Sequence, residues 1–197
     1  AIPPLLEGIF CIMNAMFHVQ KKQIIRVRHA KAVELSEFWG KDFDRPLTEK
    51  GINSNRIVAK YLRLIWIRAD RIIASPSART RSTAVDLADQ YKIPKIDFYD
   101  DLYNWAAGSP GRDSDSIHLK IIQKTKPDSR VIMLVWHNND LTKFAQFLTD
   151  DGVPSMKKGS IVVLSVPEDL EWKDIQKGNL SLVYYLTPHF LRMEELI

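Results

Sequence analysis

The sequence predicts an α/β fold, a three-layer α/β/α sandwich around a largely parallel central sheet, and three observations carry that expectation. Short runs rich in Ile and Val recur along the chain, at Ile24–Val27, Arg71–Ala74 and Val131–Val135. A stretch with apolar residues at helical spacing lies between successive runs, the alternation expected of a parallel sheet covered by helices. Each run also ends in a polar or charged turn, and open sheets of this class hold ligands beyond the carboxyl ends of their strands.

Composition narrows the class. At 197 residues the chain is long enough to bury a core in one domain, and 45% apolar with 26% charged residues is ordinary for a globular protein. A net charge of +4 suits acidic or phosphorylated partners. Trp39, Trp66, Trp105, Trp136 and Trp172 are scattered and not interleaved with basic runs, so no nucleic-acid partner is expected. Residues 1–19 are apolar but interrupted by Pro3, Pro4, Glu7, Asn14 and His18, so no membrane span is expected there. Residues 1–23 read as an N-terminal appendage, an arm or tail, and residues 24–197 as a single domain. The lone Cys11 excludes an internal disulfide and points to a reducing, cytoplasmic setting. With one Cys and five His, no metal site and no cofactor are expected.

The elements follow in order. Ile24-Ile25-Arg26-Val27 has strand composition and ends in Arg28-His29. A polar and aromatic loop leads to Thr48, a good N-cap, with Glu49 favouring the positive end of the next helix. That helix places Val58, Tyr61, Leu62 and Ile65 on one face. After Arg71–Ala74, Ser75-Pro76-Ser77-Ala78-Arg79 opens a second helix, with Pro76 in its first turn and Ala84, Leu87, Ala88 and Tyr91 on its apolar face. A short extended piece at 93–99 precedes a loop over 100–116, long enough to suggest function. A helix over about 115–124, the buried strand Val131–Val135 and a helix carrying Leu141, Phe144, Ala145 and Leu148 follow. Two late strands, at 160–166 and 182–186, complete the series.

Arg28 and His29 follow one strand, Arg79 opens the helix after a second, and His137 follows a third. Parallel strands would bring all four to one sheet edge. Guanidinium groups there can bind phosphoryl oxygens while a neutral imidazole attacks phosphorus, so the pattern points to phosphoryl transfer. Taken singly, His29 or His137 would read as an ordinary core histidine, and Arg79 as one of a solvated pair with Arg81. Arg45 reads as structural, bonding turn carbonyls. Asp100 and Asp101 read as a solvated loop face, and His18, His118 and His189 as without chemistry.

Val27-Arg28-His29-Ala30-Lys31, Asp44-Arg45-Pro46-Leu47-Thr48-Glu49-Lys50-Gly51, Ser75-Pro76-Ser77-Ala78-Arg79 and His137-Asn138 together resemble the motifs of the histidine phosphatase (phosphoglycerate mutase-like) superfamily. The short chain and the Arg-Pro-Leu-Thr turn are most similar to its small bacterial phosphohistidine phosphatases. The resemblance runs from about residue 24 to 188. It implies a phosphoglycerate mutase-like fold, His29 as the nucleophile that is phosphorylated, and Arg28, Arg79 and His137 as the phosphate pocket. Residues 156–163 match the family's loop and strand leading back to that pocket. Arg45 and Asn138 are the candidate substrate contacts.

Three residues depart from the pattern. Trp136 stands where the family usually has Gly, Asn139 replaces a usual Pro, and Asn104 falls where relatives acting on esters place a Glu as general acid. The resemblance therefore implies a metal-independent phosphatase whose substrate is protein phosphohistidine, since that leaving group needs less help than an alkoxide. The alternatives are a phosphatase of small metabolites and a phosphate-binding scaffold that has lost turnover.

Overall fold

The computed structural model describes residues 21–64, 67–93, 95–104, 114–150 and 152–190. Among them are six strands: β1 (Gln23–Arg28), β2 (Arg71–Ala74), β3 (Ile96–Phe98), β4 (Val131–Trp136), β5 (Ile161–Ser165) and β6 (Ser181–Leu186). They form one sheet in the order β3-β2-β4-β1-β5-β6. β3, β2, β4 and β1 run parallel, whereas β5 is antiparallel to β1 and β6 to β5. β4 is buried at all six positions because it lies between two strands and under both helical layers. Edge strand β6 is nowhere fully buried.

Alternating side chains of the central strands feed two separate cores. Ile25, Val27, Ile72, Met133 and Val163 face helices α1 (Glu49–Leu64) and α2 (Ala78–Tyr91), packing on Val58, Leu62, Ala84 and Leu87. Ile24, Ile73, Ile132, Leu134 and Val162 face the other side. There Ile121 and Ile122 of α4 (Ser114–Gln123) and Leu141, Phe144, Ala145 and Leu148 of α5 (Asp140–Thr149) cover them. A single turn, α3 (Asp101–Asn104), precedes α4. The predicted three layers are therefore present, and Ile65 lies outside the described residues.

Local chemistry sets the helix starts. The Gly51 N–H donates to the Thr48 hydroxyl at 3.1 Å, so Thr48 caps α1 as predicted. A methyl group on Gly51 would lie 2.1 Å from the Lys31 carbonyl oxygen, so only glycine lets α1 pass this close to the loop leaving β1. Pro76, predicted inside the first turn of α2, lies before it. Ser77 is extended (φ −62°, ψ 152°), so the helix begins only at Ala78.

Two further boundaries shift. The predicted loop at 100–116 contains α3 and the first turn of α4, and residues 105–113 lie outside those described. Within the proposed appendage, residues 1–20 also lie outside. Gln23, however, already pairs with β4 and β5, and the Lys22 ammonium donates to the Leu170 carbonyl at 2.7 Å.

The strand directions place the site. Arg28, Ala74 and Trp136 end three parallel strands at one edge, joined by bonds from His29 N–H to the Trp136 carbonyl (3.0 Å) and from Ser75 N–H to that of Val135 (3.2 Å). Because β5 is antiparallel, the segment 152–160 preceding it arrives at that same edge.

Candidate active site

His29 sits just past β1 with 7% of its surface exposed. Its Nδ1 lies 2.8 Å from the Ala30 carbonyl, an oxygen that can only accept, so the proton is on Nδ1 and Nε2 carries the lone pair. Burial, reinforced by the Arg79 and Arg28 charges and opposed by the Ala30 bond, pushes its pKa down to about 3. The ring is neutral at physiological pH.

His137 approaches from the end of β4, its ring centroid 5.2 Å from that of His29. Its Nε2 is 3.0 Å from the Ser75 hydroxyl and 3.4 Å from that of Ser77. The Thr80 hydroxyl ties Ser77 into the start of α2, so this ring is held by a hydroxyl network of the Ser-Pro-Ser segment. Burial, then His29 and the arginines, pushes the His137 pKa down to about 2.

Three guanidinium groups surround the imidazoles. Arg28 donates to the Met156 carbonyl at 2.6 Å, which fixes the 152–160 segment against β1. Arg79, the second residue of α2, is 5% exposed and donates to both the backbone and the side-chain oxygens of Asp42, at 2.6 and 2.9 Å. Arg45 donates to Asp42 Oδ1 at 2.9 Å and to the Val33 carbonyl at 2.6 Å. The turn-bonding role predicted for Arg45 is present, and its side chain also lines the pocket.

All six predicted residues, Arg28, His29, Arg45, Arg79, His137 and Asn138, line one pocket of about 440 Å³. Glu34, Leu35, Asp42, Tyr103 and Lys158 complete its wall. The anticipated 156–163 segment arrives through Met156 and through Gly159, whose N–H donates to the His29 carbonyl at 3.0 Å. Gly159 has φ +73°, and a Cβ there would meet Pro188 at 3.0 Å.

Sequence reasoning missed Asp42, Tyr103, Ser75 and Ser77. Asp42 links Arg45 to Arg79 and accepts a 3.4 Å bond from the Tyr103 hydroxyl. Its partial burial acts to raise its pKa, but Arg79 and Arg45 outweigh that and hold the carboxyl below the usual value. The available signal was the Asp-x-x-Arg spacing of Asp42 and Arg45, a near-neighbour ion pair within a tight turn.

Asp100 and Asp101 are exposed and outside the pocket wall, as the solvated-face reading expected. Asn104 belongs to α3, but its side chain lies outside what the structure describes. Trp136 does not line the pocket. It is 2% exposed and packs edge-on against His118, with centroids 3.8 Å apart. Among the described residues no three His, Cys, Asp or Glu side chains gather as a metal site. The neutral imidazole can act as a nucleophile, and the guanidinium groups can stabilise a phosphoryl group in transit.

Solved structures of similar shape include the protein histidine phosphatase SixA complexed with tungstate, with a TM-score of 0.67 and 19% identity. That match covers 86% of this chain and 99% of SixA. The SixA protein of Agrobacterium tumefaciens matches with a TM-score of 0.66 and 23% identity over 85% of this chain and 99% of its own. A mycobacterial glucosyl-3-phosphoglycerate phosphatase matches with a TM-score of 0.60 and 15% identity, covering 82% and 97% of the two chains. These identities speak for the fold alone. An uncharacterized protein of Picosynechococcus sp. is 30% identical over 121 residues, 60% of this chain and 68% of that protein. The model of the histidine phosphatase superfamily (branch 1) matches residues 24–137, more than half of the sequence and the stretch that contains Arg28, His29, Arg79 and His137. The chain belongs to the histidine phosphatase superfamily.

Proposed function

We propose that the protein is a metal-independent phosphatase that works through a phosphohistidine intermediate on His29 and removes phosphate from phosphohistidine on a partner protein. The observation that carries this reading is the His29 ring itself. Its Nδ1 proton is spent on Ala30, leaving Nε2 as the nucleophilic atom inside a pocket of cations. In the first step a bond forms between Nε2 and phosphorus while the bond to the leaving group breaks, and the electron pair goes with the leaving group. Arg28, Arg79 and His137 bear the charge on the phosphoryl oxygens. Water then attacks phosphorus and restores neutral His29. Asn138 is a further contact for the substrate.

Proton bookkeeping supports this substrate class. The carboxyls on the pocket wall, Asp42 and Glu34, are both held ionised: Asp42 by its arginines and Glu34 by Lys158 at 3.2 Å. Neither is a ready proton donor for an alkoxide. An imidazole leaves phosphorus without that help. A phosphatase of small metabolites is the second reading, favoured by a pocket large enough for a phosphorylated sugar or acid. The scaffold reading loses its steric motive, because Trp136 lies outside the pocket. A cytoplasmic setting is proposed from the lone cysteine. No helix among the described residues is long and apolar enough to cross a membrane.

The test is chemical trapping. Incubation with a labelled phosphohistidine peptide should leave acid-labile, base-stable phosphate on His29 and release inorganic phosphate. His29→Ala should do neither while retaining its circular dichroism spectrum and melting temperature. Substantial turnover by a folded His29→Ala variant would sink the proposal.

A further inference from the structure

We propose that Asp42 is a specificity-determining residue, whose carboxylate braces Arg45 and Arg79 and accepts a hydrogen bond from the leaving imidazole, so that the pocket favours phosphohistidine over phosphate esters. The inference rests on the phosphohistidine reading above and gives that selectivity a residue.

We place the carboxylate on the leaving-group side from its greater exposure relative to His29. In-line attack by His29 sends the leaving group away from His29, toward the mouth of the pocket. His29 is 7% exposed at the base, while the Asp42 side chain is 37% exposed on the wall. Oδ1 accepts from two nitrogens of Arg45, and Oδ2 from Arg79 and, at 3.4 Å, from the Tyr103 hydroxyl, so the long Tyr103 bond is the one an incoming donor replaces. Asp44 is the other acidic group on the same turn, and Glu34 is occupied by Lys158.

Charge then decides between substrates. A phosphorylated imidazole protonated on its distal nitrogen carries positive charge, which a carboxylate stabilises. When the P–N bond breaks, the electron pair stays on that nitrogen and the distal N–H remains. The product is neutral imidazole, and no proton has to be delivered. A phosphate ester instead puts negative charge on the leaving oxygen, next to an ionised carboxylate with no proton to give. The carboxylate thus selects and holds the protonated phosphohistidine, the form that leaves as neutral imidazole, and opposes the departing oxyanion of an ester.

The test compares Asp42→Asn with the native protein on a phosphohistidine peptide and on p-nitrophenyl phosphate, following both kcat/KM and single-turnover labelling of His29. A hydrogen bond to a charged group corresponds to about a tenfold to hundredfold effect. Asp42→Asn should lower kcat/KM for the peptide by that factor and raise it several-fold for the aryl phosphate, with circular dichroism and melting confirming the fold. If both substrates fall together, or no donor labels His29 in the folded variant, Asp42 only braces the arginines and the specificity role is overturned. An unchanged ratio overturns it equally. Native protein that labels His29 from the aryl phosphate but not from the peptide would remove the phosphohistidine reading itself, and this inference with it.

Discussion

Acidification should unfold this protein through three histidines. His29, His118 and His137 are each buried, with pKa values pushed down to about 3, 2 and 2, burial being the largest cause in every case. In the unfolded chain each titrates near 6.5. Below that value the unfolded state binds protons that the folded state refuses. Stability is therefore full above about pH 6.5 and is lost as the pH falls toward the folded values. Each such group changes stability by about 1.4 kcal/mol per pH unit, so three together approach about 4 kcal/mol per unit. Against a total of roughly 5–15 kcal/mol, about one to four units below 6.5 suffice to unfold the protein. The assay is urea denaturation at fixed ionic strength from pH 7.5 to 4.5, plotting unfolding free energy against pH. His118→Gln, which touches neither imidazole of the pocket, should reduce the slope by about a third. A flat profile between pH 6.5 and 5, or an unchanged slope in His118→Gln, would refute the claim that these rings are buried neutral.

Arg79→Lys keeps the charge but loses the fork that spans phosphoryl oxygens and Asp42, so kcat/KM should fall by about 10²–10³, readable with any phosphorylated substrate. Activity should survive EDTA, because Arg28, Arg79 and Arg45 supply the positive charge; loss on chelation that zinc or magnesium restores would contradict this. Thr48→Ala removes the cap of α1 and should cost about 1 kcal/mol, lowering the melting temperature by about 2–4 °C without altering kcat.

The strands were legible because β-branched runs such as Val131–Val135 admit few other conformations, and the catalytic candidates because each lies one or two residues past such a run or in the turn that opens a helix. Direction was harder. A late Ile-Val-rich run reads as a strand whichever way it points, yet the antiparallel course of β5 is what carries Met156 and Gly159 to His29. Asp42 and Tyr103 were invisible for a different reason. They reach the pocket from the loop before α1 and from a one-turn helix, and their positions depend on tertiary bonds to Arg79 and on the edge-to-face contact between Tyr103 and Phe43, 4.8 Å apart. No periodicity announces such residues.

The two departures from the family pattern that mattered most turn out to act on different levels. Residue 136 ends β4, and along a strand successive side chains point to opposite faces, so a large side chain there is directed away from the face that residue 137 addresses. The indole accordingly enters the core beneath α4 and α5, where His118 meets its edge and Phe144 packs against His118 at 4.9 Å. Arg26, on the adjacent strand β1, lies fully buried in the same layer, its guanidinium 4.9 Å from the Phe144 ring, and burial, partly offset by Asp115, lowers its pKa to about 9. Trp136 is thus a packing substitution that leaves the pocket wall untouched. The substitution at residue 104 concerns chemistry. With Asp100 and Asp101 facing solvent and Asp42 and Glu34 held ionised, the described pocket offers no carboxylic acid to protonate a departing alkoxide. Such an acid typically contributes about 10²–10⁴ in rate, and its absence falls hardest on the poorest leaving groups. For the proposed phosphohistidine substrate, a neutral imidazole as nucleophile, a cationic cradle and no acid among the described wall residues form a consistent set, because its phosphorus–nitrogen bond breaks without one.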